Sequence, residues 1–193
     1  MKFKIYKFKS VTSTNDKAIK LIKNKKRSGY VKALKQTNGR GTHGKKWISK
    51  EGNLFGSLFF PLQKNYPQFT EFSIINSVII SDVIKKYCKK KKVNLKFPND
   101  IFINKKKVCG ILQEIITVNY KKFLIVGIGI NIVSNPNVNN RYKTTNIFIE
   151  TKKKPQINEI INHIIFSYVK FFKDLKTYKY ENFKKRANSM ALI

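Results

Sequence analysis

The segment from Gln36 to Trp47 holds the residues whose types and spacing are best suited to chemistry on an anion. It carries glycines at 39, 41 and 44, one arginine and two lysines between two apolar runs. Glycine lets the backbone approach a ligand closely, and cationic side chains supply donors for negative charge. The segment therefore predicts a loop that binds a carboxylate or a phosphate, and a lysine-rich hairpin loop without a ligand is the alternative.

Three well-known phosphate-binding motifs have sequence patterns that fit this segment. The residues outside the loop exclude all three motifs. The spacing of Gly39, Gly41 and Gly44 fits the dinucleotide fingerprint, and Gly39 to Lys45 fits a Walker loop. Both motifs need a helix directly after the loop, whereas residues 54–60 have the pattern of a strand. A protein-kinase glycine loop does run into a strand, but the sequence has no His-Arg-Asp and no Asp-Phe-Gly.

Charge is the most unusual bulk property of the chain. With 41 Lys and Arg against 10 Asp and Glu, the formal net charge is +31. Such a balance is typical of proteins that bind nucleic acid or an acidic partner. The lysines are spread over nearly every segment, however, and Asn and Ile are also abundant, which indicates a compositional bias. Both interpretations of the charge stay open.

The cysteines and histidines do not suggest a metal site, because Cys88 and Cys109 lack metal-ligand spacing and His43 and His163 stand alone. Two such cysteines favour a reducing compartment, so a cytoplasmic location is expected. Residues 1–10 do not have the pattern of a signal peptide. The longest apolar run is too short to span a bilayer, and no membrane partner is expected.

Apolar periodicity places the candidate residues on a mixture of strands and helices, most simply in one domain. Strands are predicted near residues 3–8, 30–36, 54–61, 93–103, 108–117 and 123–132. Helices are predicted after the cap candidates at 13–16, over 67–90 and over 157–175. The pattern dissolves over 134–155, apart from 144–150, and 177–193 is a basic tail with an apolar finish.

Polar residues at the ends of these elements are further candidates. Asn99 and Asp100 follow Pro98, which predicts a bend that presents them, although a simple turn explains the same residues. Asn131 ends an apolar strand and should be hydrogen-bonded. Gly127 and Gly129 in that strand leave room for a close ligand or a neighbouring strand.

Taken in order, five segments resemble the biotin protein ligase family. They are Ser13-Thr14-Asn15, Gln36 with Gly39-Arg40-Gly41 and Trp47, Lys96 to Asp100, Lys107 to Leu112, and Gly127 to Asn131. The resemblance covers roughly residues 5 to 135. It implies an α+β fold, a mixed and largely antiparallel β-sheet flanked by helices, related to the catalytic core of class II aminoacyl-tRNA synthetases. The catalytic domain would be residues 1–176, and 177–193 a tail that could begin a small β domain.

The resemblance implies a two-step reaction. Biotin and MgATP would give biotinyl-5′-adenylate and pyrophosphate, and biotin would then pass to one lysine of a biotin carboxyl carrier protein. A carboxylate attacking a phosphate brings two anions together, so cations and N–H groups must offset their charge. Arg40 and Lys107 would do so as the catalytic residues, with Lys107 singled out from its lysine neighbours by the resemblance alone.

The resemblance also assigns binding residues. Those for biotin are Ser13, Thr14, Asn15, Gln36, Gly39, Arg40, Gly41, Thr42, Lys107 and Gly110. Those for the nucleotide are Arg40, Trp47, Lys96, Asn99, Asp100, Lys107 and Asn131. Asp100 is the candidate ligand for Mg²⁺, which prefers oxygen donors. Trp47 would either pack on the ligand or brace the loop.

Three departures from the family pattern qualify these expectations. Many relatives carry a second arginine where Thr42 stands, which predicts weaker retention of the adenylate here. No DNA-binding domain precedes Met1, so specific DNA binding and a repressor role are not expected. The chain stops about where a small C-terminal β domain would begin, so either a minimal or a truncated ligase is expected, with homodimer formation left open.

Two other functions remain as alternatives. Lipoate protein ligases share the fold and the adenylation chemistry, but the loop with Trp47 and the segment 107–110 look like the biotin branch. A basic nucleic-acid-binding module would explain the charge and would leave the segments 96–100 and 127–131 unexplained.

Overall fold

The computed structural model describes residues 1–136 and 143–192. The strands are β1 (Lys4–Val11), β2 (Gly29–Gln36), β3 (Leu54–Pro61), β4 (Val93–Lys96), β5 (Asp100–Ile103), β6 (Lys106–Val118) and β7 (Lys121–Ile130). The helices are α1 (Thr14–Lys23), α2 (Glu71–Tyr87), α3 (Ile147–Thr151), α4 (Ile157–Lys173) and α5 (Tyr180–Ser189). In the described part of the chain, seven strands form one sheet in the order β1-β2-β3-β7-β6-β5-β4.

The sheet is mixed, as the family resemblance implied. Strand β1 pairs in parallel with β2, whereas β2–β3, β4–β5 and β5–β6 are antiparallel pairs. A parallel pair needs a crossover connection, and α1 supplies it between β1 and β2. The chain divides into two compact units, which are described separately: one contains 2–66 and 111–129, and the other contains residue 1, 67–110 and 130–193.

In the unit made of 2–66 and 111–129, α1 packs on β2 and β3. The apolar face of α1 buries Ala18 and Ile22 against Val31, Phe59 and Ile125. Removal of this apolar surface from water is the main force that holds the helix on the sheet. The packing fixes the position of the first turn of α1, where three of the candidate residues lie.

In the unit that contains 67–110 and 130–193, α2 is the central helix and contacts α4, α5, β4 and β5. Tyr168 on α4 donates a hydrogen bond of 2.7 Å to the Asn76 side chain inside the core. Phe171 packs edge-on against Phe72, with 6.2 Å between the ring centroids. These contacts make α2 the scaffold for the β4–β5 hairpin.

Most predicted elements are present, with α2 shorter at both ends than the predicted range 67–90. The tail is the main difference, because residues 180–189 form α5, which packs on α2. Met190 and Leu192 then hydrogen-bond to the backbone of Leu95 on β4. The prediction that the tail begins a further β domain stays a prediction. Of the predicted irregular and tail segments, residues 137–142 and 193 lie outside the described part of the chain.

Among the described residues, the helices are all too short or too polar to cross a lipid bilayer.

Candidate active site

The first turn of α1 places Ser13, Thr14 and Asn15 beside the end of β2. Ser13 is the N-cap residue, and its side chain accepts a hydrogen bond from the Asp16 backbone N–H at 3.4 Å. The capping role considered for Ser13 is therefore present. All three side chains are buried, with 2 to 4% of their surface exposed.

Thr14, Asn15, Gln36 and Ser57 form one hydrogen-bonded chain. The Gln36 side-chain oxygen accepts from the Thr14 backbone N–H at 2.8 Å, and its amide donates to Ser49 at 2.9 Å. The Ser57 hydroxyl lies 2.5 Å from the Asn15 side-chain oxygen and 2.8 Å from the Thr14 hydroxyl. The structure thus brings three predicted biotin-binding residues together and adds Ser57, which the sequence did not single out.

Within this series of hydrogen bonds, the number of available hydrogens decides which group donates and which accepts. Each hydroxyl has one hydrogen, and the Asn15 oxygen can only accept, so the Ser57 hydrogen goes to Asn15. The Thr14 hydroxyl must then donate to Ser57 at 2.8 Å or to Gln36 at 3.1 Å. A polar ligand that offers a donor or an acceptor can replace one of these hydrogen bonds, so that no buried group is left unpaired.

The glycine-rich loop is a short hairpin. Arg40 and Lys46 form an antiparallel bridge, and the Trp47 N–H donates to the Gly39 carbonyl at 2.8 Å. The Gly41 N–H donates to the Lys45 carbonyl at 2.6 Å, and Thr42 begins a single 3-10 turn at the tip. The hairpin alternative for this segment therefore describes its shape, and its ligand remains a prediction.

Arg40 is partly buried and is bound to two carboxylates. Its two terminal nitrogens donate to the two oxygens of Glu114, both at 2.8 Å, and one of them also donates to Asp16 at 2.8 Å. Hydrogen bonding of Arg40 to Glu114, in which the guanidinium donates and the carboxylate accepts, is the main cause that raises the pKa of Arg40 above its usual value. One guanidinium against two carboxylates leaves this cluster with one net negative charge.

Glu114 and Asp16 were not among the predicted site residues. The sequence carried a signal for Glu114, because it is an acidic residue in the apolar run of β6. The prediction that Arg40 binds ligand oxygens still stands, but it now requires Arg40 to exchange at least one protein carboxylate for the ligand.

Gly127 and Gly129 provide room for side chains of the same unit. A Cβ atom on Gly127 would collide with the Asn15 carboxamide, and one on Gly129 would collide with the Trp47 indole. The space predicted above these glycines is therefore filled by Asn15 and by Trp47. Trp47 braces the loop against β7, which is one of the two roles considered for it.

In the other unit, Lys107 on β6 forms an ion pair with Asp100 on β5. The Lys107 Nζ lies 2.7 Å from a carboxylate oxygen of Asp100, and both side chains are mostly buried. Asp100 is paired in register with Lys96 on one side and with Gly110 on the other. The structure thus places four of the predicted residues on three adjacent strands.

Asn99 lies in the turn between β4 and β5, as the sequence predicted. The turn is held by a hydrogen bond of 2.7 Å from the Ser77 hydroxyl on α2 to the Pro98 carbonyl. Asn99 is partly buried and is directly followed by Asp100. The bend therefore presents both residues at one end of the hairpin.

Asn131 directly follows β7 and is hydrogen-bonded, as predicted. Its amide donates to the Thr145 carbonyl at 3.0 Å, and its backbone N–H donates to the Val108 carbonyl at 2.9 Å. Its side-chain oxygen is buried and accepts no hydrogen bond from the residues that the structure describes. A buried acceptor without a donor is costly, so this oxygen is suited to a ligand.

The Mg²⁺ prediction can be tested against these donors. Within 1–136 and 143–192, no three His, Cys, Asp or Glu side chains are grouped so that they could hold a metal ion. Mg²⁺ in nucleotide sites needs only one or two carboxylates, because phosphates and water supply the other oxygens. Asp100 supplies one such carboxylate, one oxygen of which is paired with Lys107, and the Asn131 side-chain oxygen is a further buried acceptor.

A family comparison accounts for the same stretch of chain. The sequence model described as the biotin/lipoate A/B protein ligase family matches residues 6–131. The chain belongs to this family. All candidate residues, from Ser13 to Asn131, lie inside the matched segment.

Individual relatives and solved structures agree with the family. The chain is 33% identical over 192 residues to the bifunctional ligase/repressor BirA of Bacillus subtilis (strain 168), covering 94% of this chain and 58% of that protein. It is 32% identical over 126 residues to the biotin--[acetyl-CoA-carboxylase] ligase of Paracoccus denitrificans, covering 64% of this chain and 52% of that protein. The chain therefore spans only a little more than half the length of these ligases.

Two solved ligases show the same fold. The Aquifex aeolicus biotin protein ligase in complex with biotin and ATP has a TM-score of 0.81 and 28% identity, covering 98% of this chain and 78% of that chain. The Leishmania major biotin protein ligase in complex with biotinyl-5-AMP has a TM-score of 0.84 and 25% identity, covering all of this chain and 83% of that chain. The predicted α+β fold of the biotin ligase catalytic core is confirmed.

Proposed function

We propose that this chain is an ATP-dependent biotin–protein ligase. It activates biotin with ATP to biotinyl-5′-adenylate and then transfers biotin to a specific lysine of a biotin carboxyl carrier protein. The family membership supports an acyl-protein ligase, and the complexes of similar ligases with biotin and ATP support the two small substrates. Lipoate transfer is the alternative within the same family.

The observation that favours biotin over lipoate is the hydrogen-bonded polar group made of Thr14, Asn15 and Ser57, which are buried, and Gln36, which is partly buried. The ureido ring of biotin has two N–H donors and a carbonyl acceptor, whereas the dithiolane ring of lipoate is apolar. A pocket lined by buried amides and hydroxyls would lose hydrogen bonds to an apolar ring, and each such loss is costly. We assign the ureido ring to these residues, together with Ser13.

The cations of the site would offset the charge of the first step. We propose that Lys107 binds the biotin carboxylate and the bridging phosphate oxygen. Arg40 would bind the carboxylate and the α-phosphate after exchanging Asp16, its more exposed partner, for the ligand. The backbone N–H groups of Gly39 and Thr42 would contribute further donors, whereas the Gly41 N–H, which donates to the Lys45 carbonyl, would have to exchange that bond for the ligand.

The nucleotide would occupy the remaining candidates. Lys96 and Asn99 would contact phosphate, Asn131 would use its free side-chain oxygen, and Trp47 would flank the ligand. Asp100 would hold Mg²⁺, whose positive charge stabilises the phosphates when it is bound. Gly110 would leave room for biotin beside Lys107.

In the second step, the ε-amine of the carrier lysine attacks the acyl carbon of biotinyl-adenylate. An amide bond forms, the acyl–phosphate bond breaks, AMP leaves, and the amine loses a proton. Because water competes with the lysine for the mixed anhydride, the hairpin loop over the adenylate should exclude water. We place the reaction in the cytoplasm, where carrier proteins and reduced thiols occur together.

Incubation with ATP and either biotin or lipoate tests this assignment. We expect pyrophosphate release and an acyl-adenylate with biotin, followed by biotinylation of a carrier domain. The Arg40→Ala variant should lose most of this activity. Adenylate formation with lipoate alone would show that the chain belongs to the other branch, and activity with neither acid would refute the proposal.

A further inference from the structure

The carboxylate of Glu114 on β6 accepts several independent hydrogen bonds. This group lies within the unit formed by 2–66 and 111–129, and three donors reach it. Its Oε1 accepts from Arg40 at 2.8 Å, and its Oε2 accepts from Arg40 at 2.8 Å and from the Asn15 amide at 2.6 Å. Glu114 therefore bridges Asn15 of α1 and Arg40 of the glycine-rich hairpin, which Asp16 of α1 also binds directly.

We propose that Glu114 is a positioning residue for biotin, an inference that rests on the proposed function. Its carboxylate fixes the Asn15 carboxamide in one orientation and at the same time anchors the hairpin through Arg40. The ureido-binding residues and the loop that covers the ligand are thereby built as one rigid pocket before biotin arrives.

The environment of Asn15 makes its orientation depend on Glu114. The Asn15 amide donates to Glu114 and to the Leu112 carbonyl, and its oxygen accepts from Ser57. A glutamine at 114 would have one acceptor oxygen where the carboxylate has two. If its oxygen takes the place of Oε2, the amide NH₂ faces the other Arg40 donor, and if it takes the place of Oε1, the NH₂ faces both Arg40 and the Asn15 amide. In either orientation donors face donors, so Arg40 shifts or the Asn15 carboxamide rotates. A rotated carboxamide would present a donor where biotin needs an acceptor.

Asp16 provides a matched control for this argument. Asp16 also binds Arg40, at 2.8 Å, and about a third of its side chain is exposed. The substitutions Glu114→Gln and Asp16→Asn each remove one negative charge beside Arg40. If charge alone decides, both variants should bind the biotin anion as well as the wild type or more tightly. If Glu114 positions Asn15, only Glu114→Gln should bind biotin more weakly.

The test measures the Kd of biotin and the Kd of ATP by calorimetry on the full chain. We expect Glu114→Gln to raise the Kd of biotin at least about tenfold with less than a threefold change for ATP. We expect Asp16→Asn to leave biotin binding unchanged or tighter. In a double-mutant cycle, Glu114→Gln should have little further effect on an Asn15→Ala background, because both changes remove the same oriented amide.

Two results would overturn the proposal. One is a folded Glu114→Gln variant whose Kd for biotin is within a factor of two of the wild type, and the other is an equal loss of biotin binding in Asp16→Asn. Glu114→Asp, which keeps the charge and shortens the reach, replaces Glu114→Gln under the same criteria if the glutamine variant does not fold. Wild type that binds biotin but forms no adenylate would refute the proposed function while leaving the role of Glu114 measurable.

Discussion

Lys107 and Asp100 form an ion pair across β5 and β6, with 2.7 Å between the ammonium nitrogen and a carboxylate oxygen. The side chains are 25% and 18% exposed, so water screens the pair only in part. Asp100 therefore holds the Lys107 ammonium in a defined position on the sheet. A cation fixed in advance stabilises developing negative charge without the cost of reorganisation.

Removal of the Lys107 ammonium should slow adenylate formation strongly. We expect Lys107→Ala to lower kcat/KM at least about 100-fold, the size of loss found when a preorganised donor is removed from an anionic transition state. Pyrophosphate release in the presence of biotin and ATP measures this step. Lys105 is an exposed lysine two residues away, and Lys105→Ala should change the rate less than about threefold. Equal rates in the two variants would remove Lys107 from the catalytic residues.

An arginine at position 42 should retain the adenylate longer. Thr42 begins the tip of the hairpin, and a guanidinium there can form charge-assisted bonds with phosphate. We expect Thr42→Arg to release biotinyl-adenylate about tenfold more slowly, measured by chasing labelled adenylate with excess unlabelled biotin. His43→Arg adds the same charge at an exposed neighbour and should have a smaller effect. Equal release from wild type and Thr42→Arg would contradict the prediction.

A methyl group at position 129 should disturb the packing of the Trp47 indole against β7. The Cβ of Gly129→Ala would overlap the indole ring, which must move or distort the hairpin. We expect a loss of about 1–3 kcal/mol in the free energy of unfolding, the usual cost of overpacking. Urea denaturation measures it. In a Trp47→Ala background, Gly129→Ala should lower the free energy of unfolding much less. An equally large loss there would show that the added methyl group collides with something other than Trp47.

Stability should decline at alkaline pH partly because of Cys88. The thiol is 2% exposed, and burial raises its pKa from 9.0 to about 11. Between these values the unfolded chain loses the thiol proton while the folded chain keeps it, so unfolding becomes more favourable as pH rises. The contribution of this group should fall by about 1 kcal/mol from pH 9 to pH 10.

The measurement for Cys88 is urea unfolding of wild type and Cys88→Ala at pH 8, 9 and 10. Many lysines titrate in the same range, so only the difference between the two proteins reports on the thiol. The stability gap between wild type and variant should shrink with rising pH. A constant gap would mean that the thiol has its ordinary pKa in the folded protein.

Encounter with the carrier protein should depend on salt if the surplus charge has a function. Carrier domains are usually acidic, and attraction to a chain of formal charge +31 would raise k_on. We expect k_on to fall about tenfold when ionic strength is raised, as for other electrostatically steered pairs. Stopped-flow transfer from preformed biotinyl-adenylate at subsaturating carrier gives k_on. A rate independent of salt would favour compositional bias as the origin of the lysines.

The elements with a clear apolar period were predictable from the sequence. Strand β3 has the predicted bounds, and the bend at Pro98 lies between β4 and β5 as expected. Helix α5 was missed because its apolar residues are few and lysines surround them. The spacing of Phe183, Ala187 and Met190 does fit one helical face, and this was the signal that could have found it.

Side-chain partners were less predictable than elements. The resemblance drew attention to Arg40 and Asn15, but no local pattern shows that Glu114, 74 positions after Arg40, binds both. Such pairings depend on the register of strands that meet only in the folded sheet. For the same reason the sequence could identify Gly129 as a site of close approach without showing that Trp47 fills the space.

The pairing of β4 with the residues after α5 has a consequence for synthesis of the protein. Asn94 and Met190, which are hydrogen-bonded, lie 96 positions apart in the chain. At the usual speed of a ribosome, this distance corresponds to about 5–20 s during which the outer edge of β4 has no partner. An uncovered strand edge can pair with other chains, so a nascent chain of this protein should need protection by chaperones during this interval.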